Sequence, residues 1–168
     1  MATVNALSQN TLDSAELPTL WVAPDQLATT TKHPLLLAHL DGSIALCFYD
    51  AVEEQGLLLH LRVLPRGNVK IDLTDSVFTG NLVLLEQAKQ ALRKVEPTAR
   101  YWQCKLVAQL SADDPMLNRA ANTVVDFIRQ YFIDSNIKLV DAQLRTGGPS
   151  VLQFRPAMGE VRVKSLSP

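Results

Sequence analysis

The sequence is short of nearly everything that would declare its function at once. It holds only 2 cysteines, Cys47 and Cys104, with no CxxC spacing. A zinc ribbon, a thioredoxin-type motif and a disulfide framework are therefore all without support. Each cysteine sits in an apolar, alternating segment and reads as a reduced core thiol of a cytoplasmic protein. The 3 histidines, His33, His39 and His60, are not spaced with a carboxylate in any metal-ligand pattern. Neither a metal nor a cofactor is expected. Charge is balanced, 16 Lys plus Arg against 17 Asp plus Glu, with no basic block. That removes the electrostatic footprint of a nucleic-acid or anionic-membrane binder. Apolar clusters such as Leu35–Ala38 and Leu57–Leu61 fall far short of the roughly 20 residues of a membrane span. The start, Met1-Ala2-Thr3-Val4-Asn5, lacks the basic-then-apolar order of a signal peptide.

What remains is an ordinary globular composition, 47% hydrophobic and 20% charged over 168 residues. Residues 1–16 are polar and aperiodic and read as a flexible tail, with 17–168 as a single domain. Leu20–Ala23 fits a short strand, Pro24-Asp25 a turn and Thr29–Lys32 a polar connection. Leu35–Tyr49 reads as strand sequence bent at Asp41-Gly42, and Gly56–Leu64 as its antiparallel partner, ended by Pro65. A helix is expected from about Asp75, capped by Asp75 or Thr74, with Phe78, Leu82, Leu85 and Leu92 on one face and Pro97 as its stop. Tyr101–Leu110 alternates as a strand. Asp114-Pro115 opens a second helix whose stripe is Leu117, Ala121, Val124, Ile128 and Phe132. Ile137–Leu144 is a further strand, Thr146–Pro149 a turn, and Val151–Arg155 with Glu160–Leu166 a terminal hairpin. Hairpins and strands outnumber helices, which predicts an α+β fold with mixed or antiparallel sheets.

The order of motifs resembles the CheD family, the chemoreceptor glutamine deamidases of bacterial chemotaxis. The resemblance is carried by Leu40-Asp41-Gly42-Ser43-Ile44, by Cys47-Phe48-Tyr49-Asp50, and by Gly56–His60 followed by Leu64-Pro65. Thr146-Gly147-Gly148 and Met158-Gly159-Glu160-Val161-Arg162-Val163-Lys164 extend it almost to the C-terminus. It implies α/β/β/α layers of mixed or antiparallel sheets with two main helices, and hydrolysis of receptor glutamine amides by a cysteine, a histidine and a threonine. Carried over position by position, the histidine falls on His60, the cysteine on Ile44 and the threonine near Ala38. Other departures are Val107-Ala108-Gln109-Leu110 where the family is Gly-rich, and Arg145 where it tends to place Asp. Asn122 is kept in the second helix, but the glycine three residues before it is Arg119.

Amide hydrolysis by that route needs a nucleophile, a base and oxyanion donors. Ile44 has no lone pair to offer. In a regular strand Cys47 points away from the side Ile44 faces, and so does Ser43, although the Gly42 corner loosens the second statement. Either could substitute only by displacement; otherwise Cys47 is a core thiol and Ser43 a corner hydroxyl bonding local backbone. His60 is a retained base or a core histidine satisfied by a backbone carbonyl. Thr146-Gly147-Gly148 fits an anion cradle or a plain glycine turn. The leading expectation is a CheD-like regulatory protein without deamidase activity, binding chemoreceptor cytoplasmic helices or a CheC-like phosphatase. The alternatives are an active glutamine amidohydrolase using Cys47 or Ser43 with His60, and a structural or ligand-sensing module.

Overall fold

The computed structural model describes residues 19–31, 35–50, 52, 55–63, 73–95 and 102–166. The expected N-terminal tail, the loop after Pro65 and Pro97 lie outside them, as do the side chains of Thr74, Asp75 and Phe78. The elements are β1 Thr19–Trp21, β2 Gln26–Thr31, β3 Leu35–Leu40, β4 Ser43–Asp50, β5 Gln55–Arg62, α1 Leu73–Val95, β6 Gln103–Gln109, α2 Pro115–Ser135, β7 Lys138–Arg145, β8 Ser150–Arg155 and β9 Glu160–Ser165, with a 3-10 turn at Pro156–Met158. Four strands form one sheet in the order β1-β3-β8-β9, and five form the other in the order β2-β5-β4-β6-β7. Two pairs are parallel, β1 with β3 and β6 with β7; the rest are antiparallel. The fold is α+β, with two helices and two mixed sheets among the described residues.

The central strands β4 and β5 read as nearly continuous apolar runs because both faces of the five-stranded sheet are covered. Ile44, Leu46 and Phe48 of β4, with Leu57, Leu59 and Leu61 of β5, pack against Leu85, Ala88 and Leu92 of α1 and against Ala121, Val124, Ile128 and Phe132 of α2. Ala45 and Cys47 of β4 and Leu58 of β5 face the other way, onto Leu36, Ala38, Leu40, Leu152 and Phe154 of the four-stranded sheet. Among the described residues both helices thus lie on one side, giving layers α/β/β. The expected fourth, helical layer over the outer face of the four-stranded sheet is not found among them. At roughly 1.5–3 kcal/mol per buried large apolar side chain, these two interfaces dominate the stability.

Helix α2 begins as its sequence predicts: Pro115 stands at its first turn and Asp114 accepts from the Leu117 N–H at 3.1 Å. It ends at Asn136 in the left-handed conformation, φ 62°. Two expectations are corrected. Leu82 is exposed, so the α1 stripe is Leu85, Ala88 and Leu92. The segment read as a polar connection is strand β2, whose threonines sit well on an edge strand paired with β5. The two thiols are free and lie on opposite faces of the five-stranded sheet. Trp102 is core, whereas Trp21 is exposed.

Candidate active site

The site grows out of the corner between β3 and β4. Gly42 adopts φ 62°, and a Cβ there would lie 2.9 Å from Leu117 Cδ1, so the bend is reserved for glycine. It releases the chain into β4 at Ser43, and strand alternation sets which residues share the inter-sheet face: Ser43, Ala45 and Cys47. On β5, Ala45 pairs with His60 and Ser43 with Arg62. Ser43 and His60 are therefore diagonal neighbours on one face, and Ser43 Oγ lies 2.8 Å from His60 Nε2.

The other imidazole nitrogen fixes the direction of that bond. His60 Nδ1 is 2.9 Å from the Val22 carbonyl oxygen, which can only accept. Nδ1 therefore carries the proton, Nε2 is bare, and the Ser43 hydroxyl donates to it. The Asp41 N–H donates to Ser43 Oγ at 3.3 Å from the corner. The segment supplying Val22 is tied down as well. The Asp25 N–H donates to the His60 carbonyl at 2.7 Å, and Arg62 Nε bonds Asp25 Oδ2 at 2.7 Å. Burial pushes the His60 pKa below its ordinary value. The Val22 bond and Asp25 oppose that shift, while Arg62 and His39 add to it. The imidazole is neutral at pH 7, the form a general base needs.

A polar row surrounds the pair. Continuing the β4–β6 register by one residue beyond Ile44↔Ala108 sets Gln109 across from Ser43, and Gln109 pairs with Arg145 of β7. Arg62, Ser43, Gln109 and Arg145 thus follow one another across four strands. Gln109 Oε1 accepts from Ser150 Oγ at 2.8 Å and from Arg145 Nε at 3.4 Å, the first of these crossing to the other sheet. Its Nε2 donates to the Leu110 carbonyl at 3.4 Å. Ser43, His60, Gln109 and Ser150 are all buried, at 4%, 0%, 2% and 0% exposure. One end of the inter-sheet interface is therefore a buried polar cluster.

The sequence-derived site residues separate accordingly. His60 and Ser43 come together. Ile44 does not join them: it points into the helix-side core, opposite His60. The motif match and the geometry differ by one residue, and one residue in a strand inverts the face. Ser43, and not Ile44, is the residue that touches the histidine. Ala38 is buried in the inter-sheet core opposite Leu152. Cys47 shares the face of His60 but sits opposite Leu58, deeper in that core. Burial drives its thiol far above the usual range, with Lys105 opposing only in part, so it is a poor nucleophile. Thr146 and Gly147 are exposed in the loop after β7, and Gly148 is half-buried; Gly147 has φ 123°. Asn122 is exposed on α2, in the layer on the far side of the five-stranded sheet.

Gln109 and Ser150 are site members that the sequence does not announce, and only strand register brings them in. Among the described residues no group of histidine, cysteine or acidic side chains could hold a metal, and no helix is long and apolar enough to cross a membrane. A cleft of about 500 Å³ lined by Thr29, Gln55, Gly56, Leu92, Lys94 and Trp102 opens at the opposite end of β5 from His60.

No family model matches the chain, and no curated protein matches it by sequence. In structure it is similar to a Neisseria meningitidis protein of the family DUF152, with a TM-score of 0.51 at 10% identity, covering 89% of this chain and 78% of that one. At that identity the likeness is one of fold, and the neighbour is a DUF152 protein, not a CheD protein.

Proposed function

We propose that this chain is a CheD-like carboxamide hydrolase in which Ser43 is the nucleophile and His60 its general base. The supporting observation is the 2.8 Å contact between Ser43 Oγ and a bare His60 Nε2, with Nδ1 committed to the Val22 carbonyl. This is the serine–histidine half of a catalytic triad with a backbone carbonyl in the orienting place usually taken by a carboxylate. The Ser43 proton passes to Nε2 as Oγ bonds the carboxamide carbon. The imidazolium then returns that proton to the amide nitrogen, the C–N bond breaks, and ammonia leaves an ester on Ser43. Water, deprotonated by the same nitrogen, releases the carboxylate and regenerates the hydroxyl. The substrate class, glutamine side chains on helical chemoreceptor segments, comes from the motif resemblance.

The test is ammonia release from a glutamine-bearing receptor helix peptide, run beside Ser43→Ala and His60→Gln. Turnover that both substitutions abolish is expected, together with a fluorophosphonate adduct mapped to Ser43. Wild-type protein that releases no ammonia, or turnover surviving in Ser43→Ala, overturns the proposal. A second reading is favoured by the burial of both groups: a closed relic that acts by docking on receptor helices or on a CheC-like phosphatase. It requires tight peptide or phosphatase binding with no ammonia release and no adduct.

A further inference from the structure

The polar row is asymmetric in charge. The Arg62 guanidinium is occupied by Asp25 at 2.7 Å, whereas the Arg145 side chain has no acidic partner among the described residues; its one side-chain bond there is Nε to Gln109 Oε1 at 3.4 Å. Gln109 is itself oriented. Because a guanidinium can only donate, the amide atom facing Arg145 is the oxygen, and the second lone pair of that oxygen takes the Ser150 hydroxyl at 2.8 Å. A buried amide anchored from the opposite sheet therefore holds Arg145 by its Nε, leaving the two terminal nitrogens without a described partner.

We propose that Arg145, held by Gln109, is the subsite for a carboxylate carried by the substrate that Ser43 attacks. The inference rests on the Ser43–His60 reading for the position of the attacked carbon. Among the described residues β7 is an edge strand of its sheet and Arg145 is half-buried, so the guanidinium is reachable from solvent while its inner edge is fixed. Ser43 and Arg145 stand two strand spacings apart, roughly 10 Å between backbones. The bond to Gln109, which stands on the strand between them, draws the arginine inward toward Ser43. A carboxylate on the guanidinium would then lie about one side-chain length from the attacked carbon. Guanidinium is suited to this task because its paired N–H groups match the two carboxylate oxygens. The exposed Thr146-Gly147 backbone directly follows. The substrate class is thus a carboxamide with a close carboxylate: the α-carboxylate of a C-terminal glutamine, or an acidic residue beside an internal one.

Binding measured on full-length Ser43→Ala protein separates this inference from turnover. The probes are three peptides: one ending in glutamine with a free carboxylate, the same peptide amidated, and one with glutamine flanked by glutamate. At least one acid-bearing peptide should bind tenfold or more tightly than the amidated one. Arg145→Gln should remove that difference, and Arg145→Lys should retain part of it, with thermal melts showing that both variants are folded. Equal affinities, no measurable binding of any probe, or a difference that survives Arg145→Gln overturns the subsite. Which acid-bearing peptide binds identifies the source of the carboxylate. If discrimination is found while the wild-type protein releases no ammonia, the carboxylate subsite stands and the hydrolase proposal fails.

Discussion

A thiol placed at residue 43 and a thiol placed at residue 44 should behave as opposites. Ser43→Cys sets sulfur beside His60 Nε2, where the neighbouring base draws the thiol below the roughly 8.5 of a free cysteine. Ile44→Cys sets sulfur among Leu46, Leu61 and Ala108 on the helix side, with no base in reach. Ile44 is fully buried, and trading its branched side chain for a shorter one should cost roughly 1–3 kcal/mol. For a domain of this size that lowers Tm by roughly 2–4 °C per kcal/mol. Iodoacetamide labelling at neutral pH, mapped by mass spectrometry, gives the contrast. Below its pKa a thiol loses a factor of about ten in thiolate per unit. Cys47 and Cys104 are both pushed well up by burial. The thiol introduced by Ser43→Cys should therefore alkylate at least about a hundredfold faster than either native cysteine. The thiol introduced by Ile44→Cys should join the slow class. Rapid labelling of the Ile44→Cys thiol, or ammonia release from Ile44→Cys and not from Ser43→Cys, would refute the face assignment and everything built on it.

Acid should inactivate and destabilise through His60. Its native pKa lies below the ordinary histidine value of about 6.5 because of burial, so kcat/KM should be flat through neutral pH and fall only below that value. The unfolded chain takes up this proton at higher pH than the native protein. Stability should therefore drop as pH falls from about 6.5 toward the native pKa, and urea titrations of His60→Gln should lose that component. Asp25→Asn removes a pair whose side chains are about a third exposed, 37% and 31%, and should cost under about 1 kcal/mol. Because Asp25 raises the His60 pKa, the same change should move the acid limb of the rate profile further down. Gly159→Ala places a Cβ 2.5 Å from Tyr49 Cε2 at φ 61°; strain and overpacking together should cost roughly 2–5 kcal/mol, read as a lowered denaturant midpoint.

The sequence was most legible where one physical signal acted alone. The β4–β5 hairpin, the β8–β9 hairpin and the Asp114-Pro115 cap each rest on local periodicity or capping chemistry. Strand β2 was hidden because Thr29, Thr30 and Thr31 carry no hydrophobic pattern. Its strand character comes from pairing with Leu57, Gly56 and Gln55, a long-range fact. The site was half legible. His60 reads as a retained base or a core histidine, and the motif match sets the lost family nucleophile at Ile44, one residue from the serine that touches the imidazole. Gln109 and Arg145 could not be placed beside Ser43 from the sequence, since only the antiparallel β4–β6 and parallel β6–β7 registers bring these distant segments together. Parity along β4 decides which neighbour faces His60, and in the sequence the glycine corner at Gly42 obscures where that strand begins.

The carbonyl that orients His60 also limits the chemistry. In a full triad a carboxylate stabilises the imidazolium that forms as the nucleophile gives up its proton. Here Nδ1–H meets the neutral Val22 oxygen, and the Asp25 carboxylate, which favours the charged ring, is already paired with Arg62. The ring must therefore become charged in a buried place with less compensation, which makes His60 a weak base toward an alcohol. A thiol needs far less help, because its proton leaves much more readily than that of an alcohol in the same surroundings. Ser43→Cys should for that reason release ammonia faster than the wild-type protein, not slower as in a mature serine triad. The gain should appear in kcat with little change in KM, since the carboxylate subsite proposed at Arg145 is untouched. A Ser43→Cys protein that is folded, labels rapidly and yet turns over more slowly than wild type would show that His60 is already matched to an alcohol. The carbonyl would then not be the limiting element of the site.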